Sequence, residues 1–283
     1  VIIYLLGLIL PTFIINSAIW GQIDVIYGSM AVWVLYFIIK NRPKTAMIFV
    51  CLALSIKLQI EFILSIVGWL FLKRKYSLRY LLIPLFVVFL TYLPSYIAGM
   101  SFMTPINHHL ALSSTYYSIT LNAGSLYAFL YGINTKLSPF ISPFALGLTL
   151  LVCVVVIYYF YKENIRVNAR SIVLLGAIFS ILVPYLLPHM HERYFYMAEV
   201  LLLLYAFTIK GRWHLVILSQ LSGLITYANF ALGGWYFPSI GNGNLVIAST
   251  INIVIIALLL VDTKHLDRDK SDKGLETSEK YYS

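Results

Sequence analysis

Charge is scarce in this chain: of 283 residues only 11 are acidic and 20 basic, while 60% are hydrophobic. No soluble core of this size needs so much apolar surface, and several apolar runs reach the roughly 20 residues that cross a bilayer. Cysteine is scarcer still. Cys51 and Cys153 each lie inside an apolar run and read as small packing residues, not as a disulfide. Also missing are a Walker phosphate loop, a Rossmann fingerprint and a nucleophile elbow, so no cytoplasmic nucleotide is bound by a standard motif. No internal repeat is visible. The sequence opens at Val1 without an initiator Met or a signal-peptide pattern and runs straight into an apolar stretch, as expected of the C-terminal part of a longer chain.

What is present is a series of long apolar segments. They are continuous rather than alternating, which argues for helices and against a transmembrane barrel. The expected fold is all-α, a polytopic transmembrane bundle of about eight spans over residues 1–261. The spans fall at 1–15, 25–39, 80–98, about 143–161, 172–187, 194–209, 214–232 and 245–261. Residues 46–72 are apolar but interrupted by Lys57, Gln59 and Glu61. Each half is too short to cross about 30 Å of hydrocarbon. That stretch reads as a short re-entrant helix pair with Lys57-Leu58-Gln59 near its tip. Residues 99–140 form a long polar-aromatic loop, with weak helical periodicity over 120–130. The tail, 262–283, is charged, lacks apolar periodicity and is expected to be disordered.

The formal net charge of +9 does not point to nucleic acid, because Lys and Arg fall in short clusters between apolar runs. With residues 40–44 placed in the cytoplasm and the segments alternated, 17 of the 20 basic residues fall inside, and every loop obeys the positive-inside rule. Lys136 and Arg193 fall outside, and Lys57 lies within the hairpin. This orientation predicts a multi-pass plasma-membrane protein with a cytoplasmic C-terminus. The turn at 20–24, the long loop with His108 and His109, and the loop at 189–194 then face the extracytoplasmic side.

Three constellations could carry chemistry. Trp20-Gly21-Gln22-Ile23-Asp24 has a structural reading, with Trp20 in an interfacial aromatic belt and Asp24 as the N-cap of the next helix. Its functional reading is an amide and a carboxylate at one depth, suited to sugar hydroxyls. Lys57 and Glu61, four apart, form either a self-neutralising pair or part of a wet cavity whose cation attracts an anionic group. In the stretch His189-Met190-His191-Glu192-Arg193-Tyr194, Glu192 and Arg193 either pair locally at little gain or act on a ligand. A metal held by His189, His191 and Glu192 matches no strong zinc spacing. Arg193 suits a phosphate, which it grips through two parallel hydrogen bonds. A fourth stretch, Thr120-Leu121-Asn122-Ala123 with Tyr116, Tyr117, Tyr127 and Tyr131 around it, fits a sugar-binding surface or an interfacial helix.

These residues carry a resemblance. Asn16-Ser17-Ala18-Ile19-Trp20-Gly21-Gln22-Ile23-Asp24 resembles the NSAxWGQxD signature of bacterial relatives of the second mannosyltransferase of glycosylphosphatidylinositol-anchor synthesis. Ala53 to Gln59 is similar to that group's LALxxKxQ hairpin, Thr120 to Ala123 to its TLNA loop, and Met190 to Tyr194 to its MHERY loop. The four occur in the family's order across most of residues 16–196. The continuation Gly124-Ser125-Leu126-Tyr127 departs from the usual Asn-aromatic pattern. The resemblance implies a GT-C glycosyltransferase that moves a hexose, mannose-like, from a polyprenyl-phosphate donor to an extracytoplasmic glycan or lipid acceptor, without a cofactor. It also implies a catalytic carboxylate in a first outer loop, which would lie upstream of residue 1.

The expected roles follow. Asp24 and Glu192 are the candidate catalytic carboxylates, and Arg193 and Lys57 the phosphate-binding cations. His191 orients either set, while Gln22, Trp20, Gln59 and Asn122 make further substrate contacts; no metal is expected. The competing classes are a lipid-linked glycan transporter or flippase and a polysaccharide polymerase.

Overall fold

The computed structural model describes residues 2–105, 107, 118–130, 138–231 and 243–268. The first helices are α1 (Ile2–Ile9) and α2 (Pro11–Ile14), which runs into a π-helical turn at Ile15–Ile19. α3 (Asp24–Ile39), α4 (Pro43–Ile56), α5 (Ser65–Leu72) and α6 (Leu82–Ile97) follow. Next come α7 (Ser138–Lys162), α8 (Ala169–Leu186), α9 (Tyr196–Thr208), α10 (Trp213–Ala231) and α11 (Gly243–Asp262). The only strands among the described residues are two short ones, β1 (Thr120–Leu121) and β2 (Met190–His191), paired in parallel.

Local chemistry explains where the helices stop. Pro11 has no N–H and its ring clashes with the preceding turn, so the segments 2–9 and 11–19 meet at a 63° bend. After α3 the chain turns at Asn41, whose φ of 53° is the left-handed conformation that Asn tolerates, and Pro43 opens α4. At the start of α8, Asn168 and Ser171 exchange reciprocal side-chain-to-backbone bonds of 3.0 Å and satisfy two orphan donors.

Burial separates helices of similar hydropathy. α8 is apolar on every side, and each residue from Ser171 to Leu186 is buried. It packs against α3, α5, α7, α9 and α11 and forms the centre of the bundle. α7 is at least as apolar, yet Phe144, Leu150, Leu151, Val154 and Tyr158 on it stand more than half exposed. α6 has no buried residue at all. A water-soluble protein does not tolerate apolar faces of this extent, whereas hydrocarbon accepts them. Among the described residues three stretches can cross a membrane by length and composition, Ile141–Lys162, Ala169–Leu186 and Gly243–His265. The bent pair at the N-terminus makes a fourth. α3, α4, α6 and the stretch 58–72 are apolar but shorter. The chain is therefore a mostly helical protein with several membrane-spanning candidates.

The interruption at Lys57 is real. Lys57 is extended (φ −157°, ψ 134°), a 3-10 helix Leu58–Ile63 follows, and no Pro or Gly in 44–67 accounts for the break. The two halves pack on different neighbours, α4 on α3 and α6, and α5 on α7 and α8. Helical periodicity over 120–130 is realised only as a 3-10 turn at Leu126–Leu130 after β1. The start of the expected tail is structured. α11 runs through Asp262, which is buried and accepts hydrogen bonds from Tyr205 (2.8 Å) and Arg212. Residues 269–283, like His108, His109, Tyr116, Tyr117, Tyr131 and Lys136, lie outside the described residues.

Candidate functional site

Four segments distant in sequence meet where α3 and α9 begin and α4 ends. Asp24 opens α3 and is fully buried. It does not cap its own helix, since Ile23 occupies the N-cap. One carboxylate oxygen pairs with the Lys57 ammonium, and the other accepts from Asn16 Nδ2 at 3.0 Å. That pairing replaces the alternative in which Lys57 neutralises Glu61, whose side chain is exposed. The break in the helix at Lys57 lets its side chain cross to α3. There the ammonium lies 5.3 Å from the ring centre of Tyr27 and 5.7 Å from that of Tyr194.

Arg193 also lies against Tyr194. Its guanidinium carbon is 5.8 Å from that ring centre and 5.9 Å from that of Trp20. Trp20 in turn stacks on Phe230, centres 4.3 Å apart, and meets Tyr227 edge-on. Asn16 ties this side together by donating from the same Nδ2 to Tyr227 Oη at 3.0 Å. The π-helical turn that holds Asn16 is an irregularity of the kind that collects at functional sites.

The loop 187–191 is positioned by the distant segment 118–122. Thr120 pairs with Met190 and Leu121 with His191, and the His189 N–H donates to the Ile119 carbonyl at 2.7 Å. The two imidazole nitrogens of His189 are both engaged. Nδ1 is 2.6 Å from the Ser118 carbonyl, which can only accept, so Nδ1 carries the hydrogen; Nε2 is 2.8 Å from Ser142 Oγ. His189 is a latch between loops. Asn122 is left-handed (φ 61°), bridges His191, and accepts at Oδ1 from Asn229 Nδ2 at 2.9 Å.

Glu192 begins the 3-10 turn Glu192–Phe195 and is 2% exposed. Neither carboxyl oxygen has a hydrogen-bond partner among the described residues. The nearest basic side chains are Arg193, with Nη1 at 3.7 Å, and His191, with Nδ1 at 3.9 Å, both too far for hydrogen bonds. Burial raises the Glu192 carboxyl above its ordinary value, opposed by nearby backbone N–H groups and by Arg193. Burial, with the charges of Arg193 and Lys57, lowers His191 to about 4, so His191 is a neutral imidazole near pH 7.

Of the residues singled out from sequence, Asp24, Lys57, Trp20, His191, Glu192 and Arg193 come together in one cluster. Asn122 joins it through His191. Gln22 is half-buried and donates through its backbone to the Asn16 carbonyl, but its side chain takes no part in the cluster's hydrogen bonds. Gln59 sits in the 3-10 turn with a buried Oε1 that lacks a hydrogen-bond partner among the described residues. Asn16, Tyr27, Tyr227 and Asn229 belong to the site and were not assigned a part in it from sequence. Asn16 was legible as a polar residue opening the turn. The two tyrosines and Asn229 were hidden inside apolar runs. Among the described residues no three His, Cys, Asp or Glu side chains gather as metal ligands.

The chain matches no protein-family model, no curated protein and no solved structure.

Proposed function

We propose that the protein is an integral-membrane glycosyltransferase, moving a hexose from a polyprenyl-phosphate donor to a hydroxyl of a glycan or lipid acceptor on the extracytoplasmic side. The observation that carries this reading is the pairing of opposite tasks in one cluster. Two cations share this cluster with Glu192, a buried carboxylate whose oxygens have no hydrogen-bond partner among the described residues: Arg193 at 3.7 Å, and Lys57, which is paired with Asp24 and feels the Glu192 charge. Transfer from a phosphate donor needs both. The acceptor O–H must lose its proton as its oxygen bonds to the anomeric carbon. The bond from that carbon to the phosphate oxygen must break, and the departing phosphate gains negative charge.

In this scheme Glu192 takes the acceptor proton. A carboxyl raised by burial is better matched to that task than an ordinary one. Arg193 and Lys57 face the leaving phosphate, Arg193 through two of its donors. Asp24 and Asn16 hold Lys57 in place, and neutral His191 fixes the Glu192 side. Trp20, with one face on Phe230 and Arg193 nearby, contributes an aromatic wall for the sugar ring. Asn122, Gln22 and Gln59 supply amides for sugar hydroxyls. The eight-span arrangement, with the shorter apolar helices counted as spans and 43–72 entering and leaving on one side, puts this cluster on the extracytoplasmic face, because the basic clusters at 40–44 and 73–79 then stay inside.

One observation favours a lipid-linked glycan transporter instead. Glu199 is buried within α9, and transporters place ionisable groups within spans. The deciding experiment uses membranes carrying the protein and a radiolabelled polyprenyl-phosphate hexose, with separate assays of sugar transfer and of lipid movement between leaflets. Transfer that falls at least about 100-fold in Arg193→Lys supports the enzyme, since Lys lacks the bidentate geometry. Lipid movement without transfer refutes it.

A further inference from the structure

Between α2, α9 and α10 three oxygen atoms stand in a row. Glu199 Oε2 is 2.5 Å from Thr12 Oγ1, and Thr12 Oγ1 is 2.9 Å from Gln220 Oε1. All three side chains are buried. Two oxygen–oxygen contacts this short need two hydrogens, because oxygens without a hydrogen between them repel. Thr12 supplies one. Gln220 cannot supply the other by turning its amide over: its Oε1 also accepts the Thr12 backbone N–H at 3.2 Å. That N–H lies in the first turn of α2, where no helical carbonyl is available to it. The second hydrogen therefore belongs to the Glu199 carboxyl.

The space beside it offers the Glu199 carboxyl no hydroxyl hydrogen. A cavity with room for about one water is lined by Glu199, Ser219, Ser222, Thr226 and Asn252. Each hydroxyl spends its hydrogen elsewhere: Ser219 on the Val216 carbonyl, Ser222 on that of Ala248, and Thr226 on that of Gly223. Asn252 turns its amide nitrogen to the Gly124 carbonyl. The cavity wall therefore presents lone pairs and asks for a donor. Gly223 keeps the space open, since a Cβ there would lie 2.4 Å from Glu199 Oε1.

We propose that Glu199 is a proton-binding site: the neutral acid donates to Thr12, with one water bound by the acceptor-lined cavity next to it. The proton fastens residues 11–19 to α10. Thr12 meets Gln220 and, four residues on, Asn16 meets Tyr227, seven residues on, so the two rungs share one face of each segment. The second rung ends at Asp24, and loss of the proton at the first loosens the seat of the second. The titratable side chains that feel the Glu199 charge are Tyr196 on its own helix and Tyr227 on α10; α2, α8 and α11 face it with Thr12, Ile181 and Asn252. This inference stands without the transfer reaction.

Infrared difference spectroscopy of the full chain in lipid nanodiscs tests it. At neutral pH the wild type should show a protonated-carboxyl C=O stretch that is lost in Glu199→Gln, and Thr12→Ala should shift its frequency. Glu199→Gln, which copies the shape and donor of the neutral acid, should unfold at the wild-type temperature. An ionised Glu199, with no such band in the wild type or with spectra unchanged in both variants, overturns the proposal. If Glu199→Gln does not fold, the neutral acid is not what the site holds, and the proposal fails on that ground too.

Discussion

The ion pair between Lys57 and Asp24 sets up the sharpest test of the site. Asp24 is fully buried, and the Lys57 side chain is only 16% exposed. Removing one partner leaves a charge that the bundle cannot solvate. Lys57→Met strands the Asp24 carboxylate with only the 3.0 Å Asn16 bond, and a broken buried pair typically costs about 3–5 kcal/mol. Asp24→Asn strands the ammonium less severely, because it keeps some solvent and two aromatic rings, so about 1–3 kcal/mol is expected. The double variant Asp24→Asn/Lys57→Met leaves no charge unpaired. It should therefore cost less than the sum of the single changes, by at least about 2 kcal/mol. Equilibrium unfolding in mixed micelles measures all three, and sugar transfer is assayed beside it. The double variant should recover stability and stay inactive, because Lys57 no longer reaches the phosphate. Additive costs, or a Lys57→Met variant within about 0.5 kcal/mol of wild type, would show that the pair is not buried as described. A stable, fully active double variant would instead remove Lys57 from the proposed chemistry.

Other expectations are open to the same assays. Glu192→Gln should abolish transfer; in the wild type, activity should fall as the pH drops through the raised Glu192 value, because the base must be unprotonated, and a pH-rate profile would show that limb displaced upward from the ordinary carboxylate value. Gly124→Ala would bring a Cβ to 3.0 Å from the Ala248 Cβ and 3.1 Å from Asn252 Nδ2, and such overpacking should cost about 1–3 kcal/mol in the same unfolding experiment. His189→Ala should release the pairing of 118–122 with 189–191, seen as faster amide exchange at position 189 and at Leu121, with far smaller effects in α8.

Much of the membrane character was legible in the sequence, because continuous apolar runs and scarce charge depend on composition alone. The interruption at Lys57 was legible too, as a charge in an apolar run must break the helix or find a partner. Which partner it finds was not. Glu61 lay four residues away at the ordinary helical spacing, whereas Asp24 lay 33 residues away, and only the packing of α3 on α4 brings that carboxylate within reach. Glu199 is not legible in the sequence for a related reason. A single acid in a leucine-rich helix reads as a surface residue until Thr12 and Gln220 are seen to close on it from two other elements.

The sequence by itself therefore determined the apolar, mostly helical character of this protein, many of the places where its helices begin and stop, and the short polar stretches available for chemistry. These are local matters of hydropathy, proline, caps and charge. The tertiary structure alone decided which of those stretches face one another. Trp20, Lys57, Asn122 and Arg193 share a site because α8, apolar all round, draws the other helices about itself and closes their ends together. Contacts across such distances in sequence leave no periodic trace in it.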